Sequence, residues 1–159
     1  GKYISKPVLT DADGKVLKEN TDYTVEYSLA DGTLLNKGSI VEAGREVYVT
    51  ATGKGNYIES GTLQGKYCVA QYDFKQAAVT VDPQVYTGRE IELTQEDIHV
   101  KIKGNTSELV FDKDFVIVEN SYVNNVKTGT ASVQIRGIGN YGGTKTVKFK
   151  ILKKRISFL

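Results

Sequence analysis

The pentapeptide Gly53-Lys54-Gly55-Asn56-Tyr57 returns 84 residues downstream as Gly137-Ile138-Gly139-Asn140-Tyr141. A chain that repeats itself builds each copy on one supersecondary plan, so this recurrence limits the fold more tightly than any composition. Val47, Val49 and Ala51 match Ala131, Val133 and Ile135 at the same displacement, with alternation kept in both places. Leu17 and Asp22-Tyr23 match Leu109 and Asp114-Phe115 at 92, while Gly61-Thr62, Tyr67 and Val69 match Gly143-Thr144, Phe149 and Ile151 at 82. The displacement changes only in turn-rich segments, where insertions are tolerated. Two units therefore describe the 159 residues better than one domain. Residues 1–73 read as a first unit that begins after its own opening strand, because Gly1-Lys2-Tyr3-Ile4 parallels Gly88-Arg89-Glu90-Ile91. Residues 74–153 read as the second unit. Residues 154–159 start a following linker or repeat, with Ile156 to Leu159 standing where Phe74 to Ala77 would open another copy.

The local pattern is β throughout. Thr24–Tyr27, Glu46–Thr52, Thr62–Val69, Ala77–Val81, Ile98–Ile102, Phe115–Val118 and Thr144–Leu152 are rich in β-branched and aromatic residues, mostly with period two. Asp13-Gly14, Asp31-Gly32, Lys37-Gly38, Gly104-Asn105 and Gly142-Gly143 punctuate them as turns. The best helical segment, Thr94 to Asp97, is a single turn with a capping threonine. Many short strands in two similar units predict an all-β chain of two tandem Ig-like β-sandwich repeats.

Val85-Tyr86-Thr87-Gly88-Arg89-Glu90-Ile91, Asp114-Phe115 before a strand, Gly129-Thr130-Ala131, Gly137 to Thr144 and Lys148-Phe149-Lys150-Ile151 together resemble the tandem Ig-like repeat domains of large Firmicutes (Gram-positive) cell-surface proteins. The second unit matches nearly end to end. The first diverges, with Thr62 to Val69 where that family has Thr-rich strands. The resemblance implies an extracellular, cell-surface or secreted, bacterial module for stalk building or cell adhesion, usually without catalysis. The opening Gly1 to Val8 has no charged stretch followed by an apolar one, and reads as the start of a fragment from a longer protein.

Candidate chemistry is sparse. Gly137-x-Gly139-x-x-Gly142 matches a dinucleotide fingerprint by letter, but Thr144 to Leu152 reads as a strand where a phosphate-facing helix would have to start. A glycine-rich hairpin is the expectation, and no cofactor is. His99 is the one histidine and Cys68 the one cysteine, so no metal-ligand cluster or internal disulfide is expected. His99 reads as an exposed strand histidine; an enzyme would need two carboxylates gathered beside it in a pocket. Asp22 and Asp114 are expected to cap turns, with calcium as the alternative. Tyr57 and Tyr141 are expected to hydrogen-bond backbone in the manner of a tyrosine corner. Among the ten tyrosines, Tyr48, Tyr72 and Tyr122 are expected to be exposed, and they are dispersed rather than gathered into a stacking platform.

The net charge of +2 gives no global drive toward nucleic acid or membranes, and no apolar run is long enough to span a bilayer. Neither partner is expected. Neighbouring repeats of the same chain and an unidentified extracellular protein or glycan remain. Between the first unit's Thr24–Tyr27 and Glu46–Thr52 strands the connection is 8 residues longer than in the second. There Leu34, Leu35, Asn36, Lys37, Ile40 and Val41 are the candidate binding residues, two apolar pairs expected to form a hairpin around Asn36-Lys37-Gly38. The reading is a non-catalytic extracellular stalk or adhesion module of a larger cell-surface protein. The alternative is a glycan-binding accessory module of a secreted multidomain enzyme.

Overall fold

The structure, a computed structural model, describes residues 5–157. It is mostly β, and divides into two compact units between Ala70 and Gln71.

The first unit contains β1 (Tyr23–Ser28), β2 (Leu34–Leu35), β3 (Glu46–Gly53) and β4 (Thr62–Cys68), in the antiparallel order β2-β1-β3-β4. Alternation along β3 and β4 sends Val47 and Tyr67 to one face, where Val41, Val47 and Val69 make a small core joined by Tyr27, Leu29, Leu35 and Tyr67. A six-residue 3-10 segment, Gly55–Ser60, separates β3 from β4. Cys68 is exposed, between half-buried Tyr67 and buried Val69, as strand alternation from the Phe149–Ile151 pair predicts.

The second unit contains β5 (Tyr72–Asp73), β6 (Ala78–Val81), β7 (Gln84–Val85), β8 (Ile98–Lys101), β9 (Phe115–Ile117), β10 (Gly129–Gly137), β11 (Tyr141–Gly142) and β12 (Thr144–Leu152). Its main sheet runs β7-β12-β10-β9, with β7 parallel to β12 and the other neighbours antiparallel. β6 and β8 form a separate antiparallel pair, and β5 runs parallel to β11. Ala131, Val133 and Ile135 of β10 and Val147, Phe149 and Ile151 of β12 meet Ile98 and Val100 of β8 in one core, together with Phe74 and Phe115. The Gly137–Gly142 segment leads into β11 and β12, a glycine-rich strand connection and not a helix start. Thr94 and Asp97 close a capping box over the single 3-10 turn Gln95–Asp97.

The pairing registers of the two units correspond. Tyr23↔Gly53 has the counterpart Phe115↔Gly137, displaced by 92 and 84 residues, and Thr52↔Thr62 has Arg136↔Thr144, displaced by 84 and 82. These are the displacements at which the letters match. β1, β3 and β4 thus correspond to β9, β10 and β12. The first unit adds β2, and the described part of it holds no counterpart of the β6–β8 pair or of β7.

Candidate functional site

Each unit carries the same hydrogen-bonded corner. Asp22 accepts the Lys18 amide at 2.8 Å, and Asp114 accepts the Val110 amide at 2.8 Å. The Asp22 and Asp114 amides donate to the carbonyls of Lys18 and Val110, and their own carbonyls accept from Lys54 and Ile138. Asn20 (φ 68°) and Asp112 (φ 61°) take the left-handed conformation in the same place, a geometry short polar side chains tolerate. Both aspartates cap a turn through local backbone, as their positions before an aromatic strand start imply. Among the described residues no group of three or more His, Cys, Asp or Glu side chains is placed to share a metal ion.

The corner's tyrosines part ways. Tyr57 donates to the Asp11 carboxylate at 3.0 Å, a side-chain partner where a backbone one was expected. The Lys15 amide and the Tyr57 hydroxyl hold the Asp11 carboxyl below its usual range, and the same bond raises the Tyr57 hydroxyl. Tyr141 instead lies half-buried in β11, edge-on to Tyr72 at 6.2 Å. The cause is local: residues after Gly55 coil into the 3-10 segment, whereas those after Gly139 extend and pair with β5.

Above the Tyr57–Asp11 bond the first unit opens a cleft of about 530 Å³, lined by Leu9, Leu17, Tyr23, Ala51, Leu63 and the carboxylate-bearing Asp11 and Asp22, among others. Its volume falls in the range of ligand pockets, roughly 300–1,000 Å³. Tyr23 and Gly53, which line it, correspond to Phe115 and Gly137, against which Phe74 packs in the second unit. A second cavity, about 480 Å³, lies in the second unit and is lined by Glu90, Glu92 and Glu119 with Tyr122 and Asn125.

The insertion folds differently from expectation. Leu34–Leu35 pairs with β1, as Tyr27↔Leu35 and Ser28↔Leu34, so the hairpin turns at Asp31-Gly32. Asp31 makes that turn by accepting the Thr33 amide at 2.9 Å. Asn36 to Ser39 form a separate turn, closed by the Asn36 side chain accepting the Gly38 amide and the Ser39 hydroxyl accepting the Asn36 amide. Both apolar pairs are split: Leu35 and Val41 join the core, while Leu34 and Ile40 are exposed with Asn36 and Lys37, Ile40 at 85% exposure.

Tyr48, Tyr72 and Tyr122 are all half-buried rather than exposed. Tyr122 turns its hydroxyl to accept the Leu93 amide at 2.7 Å. Lys148 and Lys150 point outward, but Lys145 is half-buried, its ammonium donating to the carbonyls of Lys75 at 3.2 Å and Ala77 at 2.6 Å.

His99 does gather two carboxylates. Nδ1 lies 3.2 Å from Glu108 and Nε2 3.3 Å from Asp82, with Lys101 a further 3.3 Å from Glu108. The acids bracket opposite edges of the ring, so they converge on no common point where a substrate or metal could sit, and His99 lines neither cavity. The hydrogen bonds to Glu108 and Asp82 raise the imidazole above its ordinary value of 6.5. A raised folded value means that His99 contributes its stabilisation in full below pH 6.5 and loses it as pH rises through the folded value. The second unit should therefore melt at higher temperature near pH 6 than near pH 8. His99→Gln should flatten that dependence, as tyrosine-monitored melting would report; an unchanged slope would remove the histidine from the account.

No protein-family model, curated protein or solved structure matches the chain. No helix among the described residues is long and apolar enough to cross a membrane.

Proposed function

We propose that the chain is a non-catalytic module of a larger extracellular, cell-surface protein, made of two Ig-like sandwich repeats that build a stalk and present the first unit's insertion for adhesion. The observation that supports it most is the common register and common corner of the two units, Tyr23↔Gly53 with Phe115↔Gly137 and Asp22 with Asp114. One plan used twice, on different side-chain surfaces, is how a chain gains length without building a shared reaction site. The first unit's insertion is longer than the matching connection of the second, and Leu34, Lys37 and Ile40 stand outward there beside the β1–β2 pair.

Two measurements on the whole chain test the reading. Thermal unfolding followed residue by residue by NMR should give two transitions, one per unit. A single transition shared by both would end the repeat reading. Beads coated with the chain should be captured by extracellular-matrix protein, and replacing Leu29–Val41 with Ser121–Lys127 should abolish capture. Capture by a defined glycan class that survives the replacement would instead favour the accessory-module reading.

A further inference from the structure

The outer face of the β6–β8 pair carries a row of alternating charge. β8 buries Ile98 and Val100 and turns His99 and Lys101 outward. Thr80 and His99 are register partners, so Asp82, two residues beyond Thr80 and donating its amide to the Asp97 carbonyl, shares that face with the imidazole. On the far side of β8 the Leu109 amide donates to the Val100 carbonyl, which returns the chain to the strand and brings Glu108 to both His99 and Lys101. Asp82, His99, Glu108 and Lys101 thus follow one another across three stretches of backbone, at 3.3, 3.2 and 3.3 Å. The loop that Glu108 ends is anchored in the core at Ile102 and Leu109, while residues 103–108 between them are exposed and turn at Gly104, φ 90°.

Both ring nitrogens of His99 face a carboxylate, and only the imidazolium has a proton for each. A neutral ring keeps one N–H and sets a lone pair against the other acid. The two acids differ in what remains to them. Glu108 keeps the Lys101 ammonium, whereas Asp82 makes its ion pair, among the described residues, with His99 alone. The remaining proton therefore belongs on Nε2, toward Asp82, and the bare Nδ1 is left facing Glu108. Asp97, the other carboxylate that senses the imidazolium, is taken up by the Gln84 side chain and by the Thr94 amide and hydroxyl.

We propose that His99 is a proton-operated clasp: its imidazolium ties the 103–108 loop to the end of β6 by bridging Glu108 and Asp82, and loss of the Nδ1 proton to water frees Glu108 and the loop while Asp82 stays bound. The raised imidazole value places the change above pH 6.5. Glu108, held below its ordinary range by His99 and Lys101, stays ionised through that change. The clasp goes beyond the pH dependence of melting by assigning which contact is lost and which segment moves, and it does not rest on the adhesion reading.

Nitrogen NMR of the labelled whole chain, taken from about pH 5 to about pH 9, reads both halves of the proposal. Neutral His99 should carry its proton on Nε2 in preference to Nδ1 by about fivefold or more, the contribution of one ordinary hydrogen bond. Backbone amides of residues 103–108 should lose order with the midpoint of the His99 titration, while those of β6 keep theirs. Asp82→Asn, at a side chain 60% exposed, removes the charge that holds the proton on Nε2. The proton should then move to Nδ1, and the loop should stay ordered at the alkaline end. Lys101→Gln, which strips Glu108 of its other partner, should move the proton the same way. A wild-type loop equally ordered at both ends of the range, a neutral wild-type ring protonated on Nδ1, or two variants that release the loop as the wild type does would each overturn the proposal, even if melting of the second unit still depended on pH.

Discussion

Phe74→Ala should destabilise the second unit by about 3–5 kcal/mol, the cost of a large cavity in a core that cannot collapse around it. Phe74 is fully buried and faces Phe115 and the bare Cα of Gly137. Its backbone is fixed independently, by Asp73 accepting the Lys75 amide at 3.0 Å and by Lys145 holding the Ala77 carbonyl. The alanine variant therefore keeps the opening segment in place, and the void persists. Against a typical domain stability of about 5–15 kcal/mol this is a large fraction. The chain has no tryptophan, so urea unfolding would be followed by tyrosine fluorescence and by second-unit amide signals. A loss below about 1 kcal/mol would mean that neighbouring side chains refill the space and that Phe74 does not anchor this core.

Gly53→Ala should also destabilise the first unit strongly, by a different route. A Cβ at Gly53 would overlap the Tyr57 carbonyl oxygen and stand 2.9 Å from its carbon. These are backbone atoms of a 3-10 segment, not the end of a flexible side chain, so relief requires moving Gly55–Ser60 as a whole. Overpacking typically costs about 1–3 kcal/mol and occasionally more; a clash with fixed backbone belongs at the upper end, and the Val41–Val47–Val69 core leaves little reserve to absorb it. The first unit's NMR signals should collapse while the second unit's stay dispersed. Gly65 on β4 is the control. Nothing lies within 4 Å of a Cβ there, so Gly65→Ala should be near neutral. If Gly53→Ala melts like Gly65→Ala, the close approach of Gly53 to Tyr57 is wrong.

Strand positions were legible because period-two alternation is a property of neighbouring letters. β12 occupies Thr144–Leu152 as its alternation predicts, and β3 differs only by Gly53 at its end. The displacements also told which residues of the two units correspond, and the paired strands keep that correspondence. The insertion was misread because two apolar pairs around Asn36-Lys37-Gly38 suggest a hairpin there, whereas Asp31-Gly32 offers the tighter turn and β1 the longer ladder. Alternation along β2 then turned Leu34 outward and Leu35 inward, while Ile40, in the connection to β3, stands exposed beside buried Val41. The bracket around His99 was hidden because Asp82 and Glu108 lie 17 and 9 residues away in sequence, and only the β6–β8 pairing brings Asp82 alongside. The cleft was hidden for a different reason. Its lining residues, from Leu9 to Leu63, come from separate stretches of the chain, and only folding brings them together.

The parallel pairing of β7 with β12 has a mechanical consequence. β7 lies near the start of the second unit and β12 at its end, joined through Ile151↔Gln84, Leu152↔Val85 and the Tyr86 amide on the Leu152 carbonyl. Tension applied along the chain draws these two strands past each other in opposite directions. Bonds that lie across the pull are then sheared together, and none can yield ahead of its neighbours. Stretched from its ends, the second unit should therefore hold until this pair gives way as a whole.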